Sequence, residues 1–142
     1  MVKRYNLVIK GGGPAGLLAA REAAKRGESV AVFEEDMEIG IPEKCGGLIS
    51  LNGLIKLKVS PSKKIIRNHV RYGKVVFPEN KSFEFDLSES NLIVLNREEF
   101  DKQLALEAVK AGSDIYLGTR IEQYAETDDG ISVKTSRYEI KS

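Results

Sequence analysis

A glycine loop, Gly11-Gly12-Gly13-Pro14-Ala15-Gly16, limits what this chain can fold into more than any other feature. Before it stands an apolar run, Leu7-Val8-Ile9, the pattern of a buried parallel strand. After it, Leu17, Ala20, Ala23 and Ala24 recur at helical spacing, and Gly27 supplies a left-handed stop. Pro14 suits the first turn of that helix, because its missing N–H would have no helical acceptor there. Val30-Ala31-Val32-Phe33 reads as a second strand. The segment is therefore predicted to be a β-α-β unit closed within about thirty residues.

The loop satisfies G-x-G-x-x-G at the strand-to-helix turn. A pyrophosphate can lie there against backbone N–H groups at the positive end of the helix dipole. Gly11 permits the tight turn, Gly13 carries no Cβ to obstruct the phosphates, and Gly16 lets helix and strand pack closely. Glu34 ends the second strand about twenty residues on, where a carboxylate can accept hydrogen bonds from both ribose hydroxyls. An acid there repels a 2′-phosphate, so NADP is disfavoured. These positions predict a site for the ADP half of a dinucleotide. Lys10 fits poorly, since a covered sheet calls for an apolar residue; either its stem snorkels to the rim, the expected case, or it assists the cofactor phosphates.

Beyond this unit the pattern is looser. Residues 36–62 are rich in Gly, Pro and polar side chains and read mostly as loop. Short apolar or alternating runs at Val70–Tyr72, Val75–Phe77, Phe83–Phe85 and Leu92–Leu95, punctuated by Pro78 and Asn80, predict small antiparallel strands. Asn96 with Glu99 resembles a capping box for a helix carrying Phe100, Leu104, Ala108 and Ala111 and ended by Gly112. Ile115–Leu117 is a third candidate parallel strand. Ile121–Ala125, Ile131–Thr135 and Arg137–Ile140 predict a closing antiparallel ribbon that turns at Asp129-Gly130. The fold class is α/β, a Rossmann-like β-α-β core with a parallel sheet plus small antiparallel insertions.

Composition narrows the function. The chain of 142 residues is 42% hydrophobic and 30% charged, which fits a globular domain. No apolar run approaches the roughly 20 residues of a membrane helix, and the start lacks a signal-peptide pattern, so the expected address is cytoplasmic. Cys45 is the single cysteine and His69 the single histidine, leaving no pair for a disulfide or a cysteine- or histidine-rich metal site. A net charge of +1 argues against a nucleic-acid partner. The average hides an asymmetry: from Lys44 to Pro78 there are eight Lys or Arg and no acid. That stretch is either a solvated face or a rim attracting an anionic substrate or the head groups of a membrane surface, a peripheral contact in the latter case.

With the Gly loop, Glu34, Cys45-Gly46-Gly47 and Asn96-Arg97-Glu98-Glu99-Phe100-Asp101 in view, the chain resembles the geranylgeranyl reductase family. These are flavoproteins with the FAD-binding domain type of p-hydroxybenzoate hydroxylase. The Gly-Gly-Gly-Pro-Ala-Gly stretch is common to many flavoproteins, whereas the basic-Cys-Gly segment and the R-x-x-F-D helix opening are closer to the reductases. The likeness runs from residue 5 to about residue 125. It implies FAD as cofactor and an isoprenoid or prenyl-lipid substrate whose double bonds are saturated. It also implies that Gly11, Gly13, Pro14, Ala15 and Gly16 cradle the pyrophosphate and that Glu34 and Glu35 serve the adenosine side. Cys45, Gly46 and Gly47 would lie beside the flavin, Arg97 would reach the phosphate or ribityl region, and the Ile121 backbone would lie near the adenine. Cys45 is the candidate catalytic residue, as a proton source whose thiol is tuned by neighbours such as Lys44. Arg97 stands where a helix N-terminus disfavours a cation, which itself points to a nearby anion.

Family members continue well past residue 142, into a further strand, a substrate domain and a second FAD motif. The expectation is therefore an N-terminal part of an FAD-binding domain, residues 1–142, with a small-strand insertion at about 60–95 and no substrate domain. Such a chain would be inactive alone, and no oligomeric state is assigned. Two other functions fit less of the pattern: a flavin-dependent monooxygenase of the same fold, and a non-catalytic nucleotide-binding module.

Overall fold

The computed structural model describes residues 3–43, 45–137 and 139–141. In chain order the first elements are β1 (Leu7–Lys10), α1 (Pro14–Ala24), β2 (Val30–Phe33), β3 (Leu48–Ser50), α2 (Leu51–Lys56) and β4 (Ile66–Val70). Then come β5 (Tyr72–Val76), β6 (Ser82–Asp86), β7 (Leu92–Leu95), α3 (Arg97–Ala111), β8 (Asp114–Tyr116), β9 (Ile121–Thr127), β10 (Gly130–Thr135) and β11 (Glu139–Lys141). They divide into two compact units, one built from residues 1–42 and 101–142, the other from Glu43–Phe100.

The first unit holds the parallel sheet, in the order β1-β2-β8. Leu7 pairs with Val30 and Lys10 with Phe33, while Ala31 pairs with Asp114 and Phe33 with Tyr116, all in parallel register. Every residue of β2 is buried, which accounts for its unbroken apolar run. Its side chains alternate between two cores. Val30 and Val32 pack with Ala20 and Ala24 of α1 and Ala108 of α3. Ala31 and Phe33 pack with Tyr5, Ile121 and Val133, under the antiparallel ribbon β9-β10-β11. The Phe33 and Tyr116 rings stack at 4.8 Å. Burying a side chain of Val or Phe size contributes about 1.5–3 kcal/mol, so this central strand anchors both layers.

Helix α1 carries one polar residue in its buried face, Arg21, which is 3% exposed. Its guanidinium donates to Glu107 (2.7 Å) and Glu22 (2.9 Å), so the buried charge is matched by carboxylates on its own helix and on α3. The bond to Arg21 holds the Glu22 carboxyl below its ordinary range.

A second polar cluster ties the N-terminal segment to β8. Lys3 Nζ donates to Asp114 Oδ2 (2.6 Å) and to the Tyr116 hydroxyl (2.9 Å), and the Tyr5 hydroxyl donates to the same carboxylate oxygen (2.6 Å). The hydrogen bond from Lys3, followed by that from Tyr5, holds the Asp114 carboxyl below its usual value of 3.8. A lowered carboxyl stabilises the fold above its unfolded-state pKa, and that contribution fades as the pH falls through the folded-state value. Asp114→Asn should therefore lower the melting temperature by a few degrees near neutral pH, the modest effect of a half-exposed pair. The gap from the wild type should close as the pH drops below about 3.8. Thermal melts followed by circular dichroism across that range check this, and a gap of constant size would contradict it.

The second unit has its own small sheets, β3-β7-β4 and the hairpin β5-β6, all antiparallel. Leu54, Val59, Ile65, Ile93 and Leu95 are buried in it. Here the structure departs from a loop reading of residues 36–62, since β3 and α2 occupy 48–56. Ser50 caps α2 by accepting the Gly53 N–H at 3.3 Å. The hairpin turns through Glu79 and Asn80, both at positive φ. The ribbon in the first unit turns at Gly130, with φ +133°, as the Asp129-Gly130 pair suggests. Tyr138, inside the third predicted ribbon strand, lies outside the described residues.

Candidate functional site

The carboxyl ends of the three parallel strands meet at the glycine loop, the position where open α/β sheets place ligands. Gly11 takes φ +99°, a conformation that disfavours any side chain, and its N–H donates to the Phe33 carbonyl at 2.8 Å. Gly13 is the N-cap of α1 and Pro14 its first residue. The helix ladder begins with the Leu17 N–H bonding the Gly13 carbonyl at 3.0 Å. The N–H groups of Ala15 and Gly16 therefore lie in the first turn, which offers no intrahelical acceptor. No acidic side chain occupies that turn.

Space around the loop divides the glycines by role. A Cβ on Gly16 would come within 2.2 Å of the Gly11 carbonyl oxygen and 3.2 Å of Ile9. A Cβ on Gly12 would meet Ile39 at 2.6 Å and Glu34 at 3.2 Å. A Cβ on Gly13 meets nothing within 4 Å. Gly13 thus faces an open cradle, whereas Gly16 is fixed against backbone and Gly12 lies against the movable tip of Ile39.

Glu34 sits half-buried at the end of β2. One carboxylate oxygen accepts the Gly12 N–H at 2.6 Å and the other accepts the Asp36 N–H at 2.9 Å. Its backbone is stitched to the neighbouring strand end, with its N–H on the Tyr116 carbonyl (2.9 Å) and its carbonyl accepting from Thr119 (2.8 Å). The carboxylate is thereby held against the glycine loop. Each of its oxygens retains a second lone pair that a sugar hydroxyl can use. Charge-assisted bonds to backbone N–H groups are among the stronger hydrogen bonds, so this acid is preorganised.

Glu35 is exposed and pairs with Arg120 at 3.4 Å. Ile121, next to Arg120 and 8% exposed, begins β9 within the core under the ribbon. Lys10 is exposed at the end of β1, the rim position its stem allows. Gly11, Gly13, Pro14, Ala15, Gly16, Glu34, Glu35 and Ile121 thus all belong to the first unit.

Cys45, Gly46, Gly47 and Arg97 belong to the second. Cys45 is exposed, and its Sγ accepts the Gly47 N–H at 3.5 Å. Gly47 takes φ +76°, its carbonyl accepts the Leu95 N–H at 2.9 Å, and a Cβ there would approach the Leu95 oxygen to 2.3 Å. The loop is therefore pinned to β7 at Gly47. Lys44, the neighbour expected to tune the thiol, lies outside the described residues. Arg97 is the first residue of α3 and half-buried. Asn96 caps that helix by accepting the Glu99 N–H at 3.4 Å, but its own N–H goes to the Ile65 carbonyl (2.8 Å), so Asn96 forms only the forward half of a capping box. The Glu98 N–H donates to the Glu43 carboxylate at 3.3 Å. A protein anion thus already stands at this helix start, a contact that no local sequence signal gives.

These features define a dinucleotide-binding α/β unit. A family model for an NAD(P)-binding Rossmann-like domain matches residues 9–41, from the end of β1 past Glu34. The relatives are reductases. Digeranylgeranylglycerophospholipid reductase 2 of Methanosphaera stadtmanae is 33% identical over 135 residues, covering 92% of this chain and 34% of that protein. Digeranylgeranylglycerophospholipid reductase of Thermoplasma volcanium is 38% identical over 120 residues, covering 82% of this chain and 30% of that one. A crystal structure of a geranylgeranyl bacteriochlorophyll reductase-like protein from Thermoplasma acidophilum superposes with a TM-score of 0.88 at 28% identity, over 99% of this chain and 37% of that one. CndH, described as a new variant of FAD-dependent halogenases, shares the fold alone, with a TM-score of 0.69 at 19% identity over 97% of this chain and 35% of its own. The chain is thus a relative of the geranylgeranyl reductases and spans about a third of the length of those it matches.

Proposed function

We propose that this chain is the FAD-binding part of an oxidoreductase that saturates isoprenoid double bonds of prenyl lipids. The observation that carries the reading is the Glu34 carboxylate held on the Gly12 N–H beside a helix start whose Gly13 opens onto unfilled space. That pairing of anion cradle and ribose acceptor fits an ADP half, and the open space at Gly13 is what a pyrophosphate requires. FAD, rather than a nicotinamide nucleotide, is the cofactor that the resemblance to the geranylgeranyl reductases implies.

In this reading Ala15 and Gly16 donate their N–H groups to the pyrophosphate and Glu34 accepts from the ribose, while Arg97 has only the phosphate or ribityl role that the reductase resemblance implies. When bound and reduced, FAD would supply the hydride chemistry that an unactivated double bond requires at one carbon. Cys45, which the resemblance assigns to the flavin side, would supply from Sγ the proton that the other carbon needs. Gly47 fixes the loop that carries this thiol.

Titration of the purified chain with FAD, followed by flavin fluorescence and visible absorption, tests the cofactor assignment. FAD should bind near one per chain, and ADP-ribose should compete with it. FMN, which lacks the ADP half, should not bind. A folded chain that binds neither FAD nor ADP-ribose would overturn the assignment and leave a non-catalytic module.

A further inference from the structure

The second unit carries an open groove of about 740 Å³ lined by Lys63, Ile66, Arg67, Asn68, His69 and Arg71. Among the described residues none of its three cations makes an ion pair. The cause lies in register. Strand β4, which supplies Arg67, Asn68 and His69, pairs with β7, whose facing residues are Leu92, Ile93, Val94 and Leu95. No carboxylate can answer from that neighbour, and the chain has no acid between Lys44 and Pro78. Elsewhere in the same unit cations do find partners: Lys74 pairs with Glu84 across the hairpin at 2.9 Å, and Lys81 with Glu79 at 3.1 Å. The groove thus concentrates positive charge that the protein leaves unneutralised.

Immediately after Arg71 the β5-β6 hairpin exposes apolar side chains. On one face of the hairpin Tyr72 is 74% exposed and Val76 65%; on the opposite face Phe83, which pairs with Val75, is 60% exposed, with Phe77 54% at the strand end. Cations followed along the chain by exposed aromatic and aliphatic side chains match the two layers of a membrane surface, phosphates outside and acyl chains beneath. Duplex DNA would use the cations and leave the apolar side chains unused, and a single strand, which stacks bases on aromatic rings, would have no use for an exposed aliphatic such as Val76.

We propose that the Lys63–Arg71 groove, with the hairpin that follows it, docks on an anionic phospholipid surface, the lipid phosphates seating on Lys63, Arg67 and Arg71. The docking stands whether or not the glycine loop takes FAD, and its test needs no flavin.

The test is co-sedimentation of the full chain with vesicles of phosphatidylglycerol and phosphatidylcholine, against vesicles of phosphatidylcholine alone. Each cation near an anionic surface contributes about five-fold to partitioning, so Arg67→Gln with Arg71→Gln should weaken binding about 25-fold. Raised salt should weaken the wild type in the same direction. Arg67→Lys with Arg71→Lys keeps the charge and should keep the binding, provided circular dichroism shows the native fold. Phe77→Ser with Phe83→Ser should bring a further loss that salt does not change. Equal binding to both vesicle types, or an unaffected Gln variant, would overturn the proposal. So would displacement by inorganic phosphate at a concentration matching the lipid phosphate, which would make the ligand a small anion. Tighter binding to duplex DNA than to the vesicles would overturn it in favour of a nucleic-acid partner.

Discussion

Gly13→Ala should weaken dinucleotide binding in a protein that still folds, whereas Gly16→Ala should damage both. At Gly13 the backbone has φ −78° and ψ 175°, which alanine adopts readily, and a methyl group there touches no protein atom within 4 Å. Its folding cost is that of a poorer N-cap, under about 1 kcal/mol. The same methyl group occupies the space proposed for the pyrophosphate, and crowding of that kind costs about 1–3 kcal/mol, or roughly 10- to 100-fold in affinity. At Gly16 the methyl group meets the Gly11 carbonyl oxygen at 2.2 Å, a backbone atom that cannot swing aside. The loop must shift, with a stability loss of about 1–3 kcal/mol and a melting temperature lower by several degrees. Thermal melts and FAD titration of the two variants, side by side, separate the effects. Wild-type FAD affinity in Gly13→Ala would show that the phosphates lie somewhere else.

Glu34→Gln should be nearly as harmful as Glu34→Ala, although it keeps size and shape. The carboxylate accepts two backbone N–H groups, one on each oxygen. An amide offers one oxygen and one NH2 group, so either Gly12 or Asp36 would lose its acceptor and face a donor instead. Hydrogen bonds to charged groups contribute about 1.5–3 kcal/mol, and a loss on that scale should appear in denaturant unfolding. FAD affinity should fall about 100-fold, since the loop and the ribose acceptor are disturbed together. If Glu34→Gln bound FAD as the wild type does, the acid would have no part in holding the ribose.

How much of this could be read from the residues depends on how local each signal is. The β1-α1-β2 unit is encoded within a short stretch: an apolar run, glycines where the turn needs them, Pro14 at the helix start and Gly27 beyond its end. The parallel partnership of β8 with β2 is equally a matter of a short apolar strand following a helix. Strand β3 and helix α2 escaped because their signals conflict. Gly46-Gly47 and Pro42 argue for loop, and α2 has only 6 residues, too few for a helical period to emerge. The Ser50 cap ahead of Leu51 and Leu54 was the available clue. Long-range matches leave no such trace. The burial of Arg21 depends on Glu107, 86 positions away, and periodicity says nothing about which carboxylate will face a given helix. Likewise Glu34 is marked by its distance from the loop, but its grip on the Asp36 N–H is a property of the folded strand end. The Glu43 carboxylate at the start of α3 lies 55 positions from Glu98 and is equally invisible in the sequence.

Strand β1 has one consequence for handling the protein. Among the described residues it bonds to β2 on one side only, and Leu7 at its start is 37% exposed. A row of amide and carbonyl groups without a neighbouring ladder is adhesive, because any extended chain of fitting length can zip onto it. Concentrated samples should therefore self-associate through this margin, and Lys10, the lone charge within the strand, is what opposes it. The same unclaimed row would welcome a strand from elsewhere in a longer polypeptide, so covering it should improve solubility before any other change does.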